Sequence, residues 1–266
     1  MGKSLVITSG KGGVGKTTTT ANIGMGLAMK GQKVVLVDAD IGLRNLDVVI
    51  GLENRIVYDI VDVAEGRCKL KNALIRDKRQ ESLYLLPAAQ TRDKSAVSPE
   101  KMKEIILQLK EEFDYVIIDC PAGIEHGFRN AIIGADSALV VTVPEVSAVR
   151  DADRIIGLLL ANEIDDVRLI INRMRKDMVD RGDMLDVDDM LEILSVELLG
   201  IVPEDEDVIR ASNLGEPMVL NPSSPSGQAF TNIVRRILGE SVPMMKLKVE
   251  KGFGQWLKQA FGSKRN

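Results

Sequence analysis

Residues 10–18 form a glycine-rich loop of the kind that binds phosphate groups, with the sequence Gly-Lys-Gly-Gly-Val-Gly-Lys-Thr-Thr. Glycines allow the backbone to approach an anion closely, and successive N–H groups at a helix N-terminus point toward it. Lys16 supplies a positive charge for the outer phosphates, and Thr17 supplies a hydroxyl of the kind that binds Mg²⁺. An apolar run at residues 5–8 precedes the loop and a helical pattern at residues 18–30 follows it. The sequence therefore predicts a strand, a phosphate-binding loop and a helix in that order.

Two further apolar runs end in aspartate. Residues 34–37 are followed by Asp38 and Asp40, and residues 115–118 are followed by Asp119. Continuous apolar runs predict strands buried on both faces of a parallel sheet, and ligands bind at the carboxyl ends of such strands. Each aspartate is also a common turn residue. Together with the loop, they predict a group of carboxylates beside a bound phosphate.

Apolar runs alternate with helical patterns along the chain, which predicts parallel strands joined by helical crossovers. After the regions already described, the strand and helix patterns fall at residues 83–86, 99–112, 138–143, 147–162, 167–171, 198–202, 205–213 and 225–238. For a chain of 266 residues, we expect one α/β domain with a mostly parallel, twisted sheet and helices on both faces. The expected boundaries are a domain that carries the phosphate-binding loop at 1–240, a linker at 241–250 and an amphipathic segment at 251–266.

Lys11 lies on the outer limb of the loop, upstream of Lys16. From spacing alone, it is either a solvated surface lysine or a group that reaches a neighbouring subunit. The sequence from Lys11 to Thr18 resembles the deviant Walker A loop of the MinD/ParA group of P-loop ATPases. That resemblance implies a homodimer with ATP sandwiched between the subunits, in which Lys11 enters the partner's active site.

The resemblance covers residues 3–238 and includes two switch segments. Residues 38–47 and 119–125 are similar to the first and second switches of the septum-positioning members of this group. The resemblance implies that ATP or ADP and Mg²⁺ bind here, and that Asp40 orients or deprotonates the attacking water. It implies that the catalytic residues are Lys11, Lys16 and Asp40, and that the residues at the metal are Thr17, Asp38 and Asp119.

The resemblance also implies the contacts to the nucleotide. The loop residues expected to contact it are Gly10, Lys11, Gly12, Gly13, Val14, Gly15, Lys16, Thr17 and Thr18. The residues expected near the adenine are Asn172, Arg173, Pro203, Glu204 and Asp205. Taken without the resemblance, these last positions are an asparagine after a strand and a proline turn, which are ordinary structural features.

The C-terminal segment is basic and amphipathic. Residues 244–266 contain six basic residues and one acidic residue, so the rest of the chain is more acidic than the net charge of −4 indicates. The apolar residues that recur at helical spacing on one face are Phe253, Trp256, Leu257, Ala260 and Phe261. Such a stripe is typical of a helix lying in a membrane interface, although a terminal helix packed on its own protein has the same pattern. We expect Phe253, Trp256, Leu257 and Phe261 to enter an anionic membrane surface. The chain has no run of roughly 20 apolar residues that could span a membrane.

The resemblance further implies partners. The septum-positioning members of this group recruit the division inhibitor MinC to the membrane and, in many bacteria, respond to MinE or another topological regulator. The expected partner-binding residues at the start of one helix are Glu145, Ser147, Arg150, Asp151 and Asp153. Their charges equally fit an ordinary solvated helix face. Two cysteines without a secretory signal indicate a reducing compartment. We therefore expect a cytoplasmic protein that is peripheral on the inner face of the cell membrane.

Three alternatives use the same loop. A ParA-like ATPase that partitions DNA needs a basic surface on the body to neutralise phosphates, whereas this body is acidic, so we expect no sequence-specific nucleic-acid binding. A scaffold for flagellar placement also fits a tail that binds membranes. A metabolic kinase or synthetase is disfavoured because no substrate-binding insertion separates the two switches.

Overall fold

Eight strands form one sheet in the computed structural model, which describes residues 1–124 and 126–245. The strands are β1 (Lys3–Thr8), β2 (Val34–Asp38), β3 (Ile75–Arg76), β4 (Leu83–Leu86), β5 (Tyr115–Asp119), β6 (Ser137–Thr142), β7 (Val167–Met174) and β8 (Glu197–Pro203). The amphipathic segment 251–266, with Phe253, Trp256, Leu257 and Phe261, lies outside the described residues.

The strand order β3-β4-β2-β5-β1-β6-β7-β8 places β1 between β5 and β6. All the neighbouring pairs are parallel except β3 and β4, which are antiparallel at the sheet edge. Ile7 of β1 lies opposite Asp119 of β5, and Asp119 lies opposite Asp38 of β2. The loop that follows β1 therefore starts beside both aspartates, at the edge of the sheet where ligands bind in open α/β folds.

Helices cover both faces of the sheet, as the strand and helix alternation predicts. They are α1 (Lys16–Met29), α2 (Leu46–Val49), α3 (Ile60–Ala64), α4 (Leu70–Ala73), α5 (Pro99–Glu112), α6 (His126–Ile132), α7 (Val146–Ala161), α8 (Lys176–Val179), α9 (Val187–Leu194), α10 (Asp207–Asn213) and α11 (Pro225–Ile237). Short 3₁₀ helices occupy Glu53–Arg55, Lys94–Ala96 and Met218–Leu220. One buried cluster joins the sheet to α5, α6, α7 and α9, and the other joins it to α1 and α11.

The strands contribute to the two clusters by alternation. Val6 belongs to the first cluster and Ile7 to the second, and the same alternation separates Val35 from Leu36 in β2. Successive side chains of a strand point to opposite faces, so a continuous apolar run is needed where both faces are covered. These runs in the sequence are therefore the direct cause of the three-layer arrangement.

Four element boundaries differ from the sequence predictions by two or three residues, namely the starts of β1, α1 and α10 and the end of β7. Helix α10 begins at Asp207 rather than at residue 205. The Asp205 carboxylate accepts hydrogen bonds from the backbone N–H of Asp207 and from Ser226 in α11, which forms a turn before the helix. Strand β7 continues to Met174 instead of ending at residue 171, because a bulge near its end keeps it paired with β8.

The C-terminal end of the described chain contacts the body through Arg236. Its guanidinium donates to the carbonyl oxygens of Leu199, Val242 and Pro243 at 2.9, 3.0 and 2.7 Å. Met245 packs partly buried against the α1 and α11 cluster. Within residues 1–124 and 126–245, no helix has both the length and the apolar character needed to cross a membrane.

Candidate functional site

The glycine-rich loop connects β1 to α1 and presents the start of that helix. Gly13 and Gly15 adopt φ angles of 77° and 97°, in the left-handed region that side chains disfavour. Gly15 is also the N-cap of α1, and glycine offers no side chain to occupy the first N–H groups of the helix. A side chain at residue 10 would overlap the backbone of Asp151 in α7, so the loop packs closely on that helix. A glycine loop at the start of a helix leaves backbone N–H groups available to bind phosphate.

Two hydroxyl groups of α1 hold the Asp119 carboxylate. Thr17 Oγ1 donates to Asp119 Oδ2 at 2.7 Å, and Thr20 Oγ1 donates to Asp119 Oδ1 at 3.0 Å. Mg²⁺ prefers hard oxygen ligands and is held in nucleotide sites by one or two protein groups together with phosphate oxygens and water. The Thr17 hydroxyl and the Asp119 carboxylate therefore fit a magnesium site beside the loop. The sequence analysis missed Thr20, although the spacing from Thr17 to Thr20 puts both on one face of a helix.

Asp38 and Asp119 are both buried, with exposed fractions of 1% and 3%. Burial and the charge of Asp119 raise the pKa of Asp38 to about 7, against the backbone hydrogen bonds from Asp40 and Leu46. Burial raises the pKa of Asp119 to about 6, whereas hydrogen bonding from Thr17 and the charge of Lys16 lower it. Two buried carboxylates on neighbouring strands therefore favour a cation between or beside them.

We expect the free energy of unfolding of the metal-free protein to fall as the pH rises from 5 to 8. The pKa values of Asp38 and Asp119 are raised above 3.8, so the folded state binds more protons than the unfolded state over this range. The loss should be on the order of 4 kcal/mol for the two carboxyl groups together. Urea denaturation with a chelator at both pH values measures it. The Asp119→Asn variant should lose less stability over the same range; an equal loss would assign the effect to other groups.

Asp38 also fixes the first switch segment. Its two carboxylate oxygens accept from the backbone N–H groups of Asp40 at 3.0 Å and of Leu46 at 3.3 Å. Further along, the Arg44 guanidinium pairs with the buried Asp47 at 2.8 Å. The structure therefore holds residues 38–47 as one ordered loop and short helix beside the phosphate loop. The roles of Asp38 at the metal and of Asp40 at the water stay predictions.

The Lys11 side chain contacts the N-terminal end of α7. Its ammonium lies 3.0 Å from Glu145 Oε2 and 3.5 Å from Ser147 Oγ. The side chains of Lys11 and Glu145 are 44% and 58% exposed. Neither spacing nor composition indicates this contact, because it joins residues far apart in sequence. Lys16, in contrast, is only 8% exposed and lies at the start of α1. The two lysines of the loop therefore occupy different environments.

The residues predicted near adenine come together at the ends of β7 and β8. Glu204 N–H donates to the Met174 carbonyl oxygen at 3.1 Å, which joins the two strand ends. Asn172 Nδ2 donates to the Val14 carbonyl oxygen of the phosphate loop at 2.8 Å. Pro203, Arg173 and Asp205 lie on the same edge, and Ser226, which holds Asp205, was missed by the sequence analysis. Their contact with a base remains a prediction.

Four of the five predicted partner-binding residues lie on α7, and Glu145 precedes the helix as its N-cap. Glu145, Ser147, Arg150 and Asp153 are exposed and Asp151 is half-buried. The opposite face of the helix buries Ala148, Val149 and Ala152 against the sheet. These positions fit a binding surface and an ordinary solvated face equally well. Their assignment therefore remains a prediction, although Lys11 ties this surface to the phosphate loop.

Comparison with known proteins identifies similar chains over nearly the whole length. A family model described as an AAA domain matches residues 2–173. The septum site-determining protein MinD of Bacillus subtilis (strain 168) is 60% identical over 265 residues, covering 98% of this chain and 99% of that protein.

Two solved structures share the fold. A chain of the MinC:MinD cell division protein complex of Aquifex aeolicus is 50% identical with a TM-score of 0.87, and the match covers 92% of this chain and 98% of that chain. The septum site-determining protein MinD of Pyrococcus horikoshii OT3, complexed with Mg-ADP, is 31% identical with a TM-score of 0.80. That match covers 89% of this chain and 96% of that chain.

Proposed function

The chain belongs to the MinD family of septum site-determining P-loop ATPases, and from this premise we propose that it positions the division septum as an ATP-dependent, dimerising ATPase. In this proposal the ATP-bound dimer associates with the inner face of the cell membrane and recruits MinC. Hydrolysis of ATP then releases the protein. ATP or ADP with Mg²⁺ occupies the phosphate loop, as the Mg-ADP complex of the relative from Pyrococcus horikoshii supports.

The observation that carries the proposal is the position of Lys11. The ammonium is held on Glu145 and Ser147 at the protein surface, although Lys11 itself belongs to the phosphate loop. An exposed ion pair contributes only about 0–1 kcal/mol, so little free energy opposes its release. A lysine that is exposed, weakly held and adjacent to the loop is suited to reach the phosphates of a second subunit. We therefore infer a nucleotide-sandwiched dimer.

The proposed chemistry uses groups already held in place. Lys16 neutralises charge on the outer phosphates, and the partner's Lys11 adds a second positive charge. Thr17 and Asp119, with Asp38 close by, would hold Mg²⁺, which supplies charge neutralisation and orients the phosphate oxygens. Asp40 orients water for attack on the γ-phosphorus and accepts its proton as the bond to the bridging oxygen breaks. The products are ADP and inorganic phosphate.

The α7 surface provides the proposed site for MinC. The solved complex of the Aquifex aeolicus relatives supports a MinC partner for this chain. Release of Lys11 would free Glu145 and Ser147, so nucleotide-driven dimerisation would change the surface offered by Glu145, Ser147, Arg150, Asp151 and Asp153. MinE, or another topological regulator, is proposed to act on the same dimer.

Membrane residence is proposed to depend on dimerisation through the segment 251–266. One short amphipathic helix must be ordered on binding and holds weakly. Two segments carried by one dimer act together, and such avidity strengthens binding by about 10²–10⁴-fold without new contacts. The nucleotide state would thus control the time spent on the membrane.

Flotation with vesicles rich in anionic phosphatidylglycerol tests whether the nucleotide state controls membrane binding. We expect the full chain with Mg²⁺ and ATP to bind at least about tenfold more strongly than with ADP. Leu257→Glu should abolish the binding, because it places a charge on the apolar stripe. Gln255→Glu adds the same negative charge on the side of the expected helix opposite the apolar stripe. This variant should retain most of the vesicle binding. Equal binding with ATP and ADP would contradict the proposed control.

A further inference from the structure

Asn172 lies at a β-bulge between β7 and β8. Ile171 pairs with Ile201 and Met174 pairs with Pro203, so two residues of β7 oppose one residue of β8. One of the two, Arg173, has a φ of 55°, in the left-handed region that residues other than glycine rarely adopt. A bulge of this kind redirects the neighbouring side chain. Here it accompanies an Asn172 side chain that contacts the phosphate loop rather than the next strand.

Both ends of the Asn172 amide are engaged, and the residue is only 9% exposed. Its Oδ1 accepts from the Arg173 N–H at 2.9 Å, which fixes the direction of the side chain. Its Nδ2 donates to the Val14 carbonyl oxygen at 2.8 Å. The Val14 side chain is itself buried in the core cluster that contains α1. The peptide between Val14 and Gly15 is therefore held from the core on one side and by Asn172 on the other.

The loop fits beneath Asn172 only because residue 15 is glycine. A Cβ at this position would lie 2.3 Å from Asn172 Nδ2. In a trans peptide the C=O and the following N–H point in opposite directions. With the Val14 carbonyl directed at Asn172, the Gly15 N–H must point the opposite way within the peptide plane, away from Asn172. An N–H directed away from Asn172 at the start of α1 is available to a phosphate, because phosphates bind at helix N-termini.

We propose that Asn172 is a positioning residue of the phosphate loop: its amide orients the Val14–Gly15 peptide so that the Gly15 N–H faces the phosphates. This inference rests on the proposed nucleotide binding and deepens it. A contact with adenine acts only on adenine nucleotides. An effect through the loop backbone acts on any ligand that carries the same phosphates. The two roles therefore separate when the base is changed or removed.

Competition against a fluorescent ATP analogue, with Mg²⁺, measures the affinity of the full chain for ATP, GTP and inorganic tripolyphosphate. Asn172→Ala should weaken binding of all three by a similar factor of about tenfold, the effect expected from one lost hydrogen bond and a freed loop peptide. Asn172→Leu keeps the branching of the side chain at Cγ, lacks the amide and should give the same result. A loss confined to ATP would overturn the proposal in favour of adenine recognition.

Asn162→Ala is the matched control. Asn162 Nδ2 also donates to a carbonyl oxygen, that of Leu158 at 2.7 Å, but at the far end of α7. The Asn162→Ala change should leave the affinities for ATP, GTP and tripolyphosphate unchanged. The ¹⁵N resonance of Gly15 in the nucleotide-free protein should shift in Asn172→Ala and not in Asn162→Ala; an unshifted resonance would overturn the inference.

Two outcomes in the unaltered chain separate this inference from the proposed function. Binding of ATP without binding of tripolyphosphate would contradict the positioning role alone, because the loop would then not be a preformed phosphate site. Failure to bind any of the three ligands would contradict the proposed function itself.

Discussion

Lys16→Ala should lower the affinity for ATP by about 10³-fold, which amounts to loss of binding under ordinary assay conditions. Lys16 starts α1, is almost buried, and lies near enough to Asp119 to lower the pKa of that carboxyl. Its removal leaves the acidic groups of the site without their compensating charge, so the triphosphate would face Asp119 directly. Isothermal titration with Mg²⁺ and ATP measures the change.

Lys30→Ala is the control for this prediction. Lys30 is exposed at the C-terminal end of the same helix, distant from the phosphate loop. Its replacement should leave ATP affinity unchanged, and both variants should retain the helical circular dichroism of the parent chain. ATP affinity within a factor of about three of the parent in Lys16→Ala would show that the loop is not the phosphate site.

Lys11→Ala should give a different result, with ATP binding retained and ATP-dependent dimerisation lost. In the single chain Lys11 contacts Glu145 and Ser147 instead of the loop, so its absence removes little from the subunit's own site. In the proposed dimer the same lysine supplies a charge to the partner's phosphates, and this contact has no substitute. We expect affinity for ATP within about threefold of the parent and binding to vesicles reduced to the level seen with ADP.

Lys103→Ala provides the matched control, because Lys103 is an exposed lysine on α5. It should dimerise and bind vesicles as the parent does. If Lys11→Ala dimerised normally with ATP, Lys11 would be a solvated surface lysine, the alternative that its spacing also allows. If it failed to bind ATP at all, Lys11 would belong to its own loop rather than to the partner's site.

The sheet and its principal helices were predictable from the sequence because they depend on patterns longer than one turn. Strand β4 and helix α5 match their predicted bounds, and the start of α5 is marked by a Ser98 cap and Pro99. Helix α9, the short helices α2, α3, α4 and α8, and the antiparallel β3 were not predicted. Elements of two to five residues carry no measurable period and depend on contacts made elsewhere.

The site residues that lie at the ends of strands were predictable from the sequence. Asp38 and Asp119 meet because their strands are neighbours in a parallel sheet. The contact of Lys11 with Glu145 and that of Asn172 with Val14 join residues more than 130 positions apart. Such contacts depend on the packing of α7 and on a bulge in β7, and neither has a local signal in the sequence. Resemblance supplied the candidate residues, and the fold supplied their hydrogen-bond partners.

The most direct test of the account is the mass of the full chain in solution with Mg²⁺ and a non-hydrolysable ATP analogue, measured by light scattering after size exclusion. The account predicts twice the monomer mass of 29.1 kDa with the analogue and the monomer mass with ADP. A chain saturated with the analogue that still has a mass of 29.1 kDa would contradict the proposed nucleotide-sandwiched dimer.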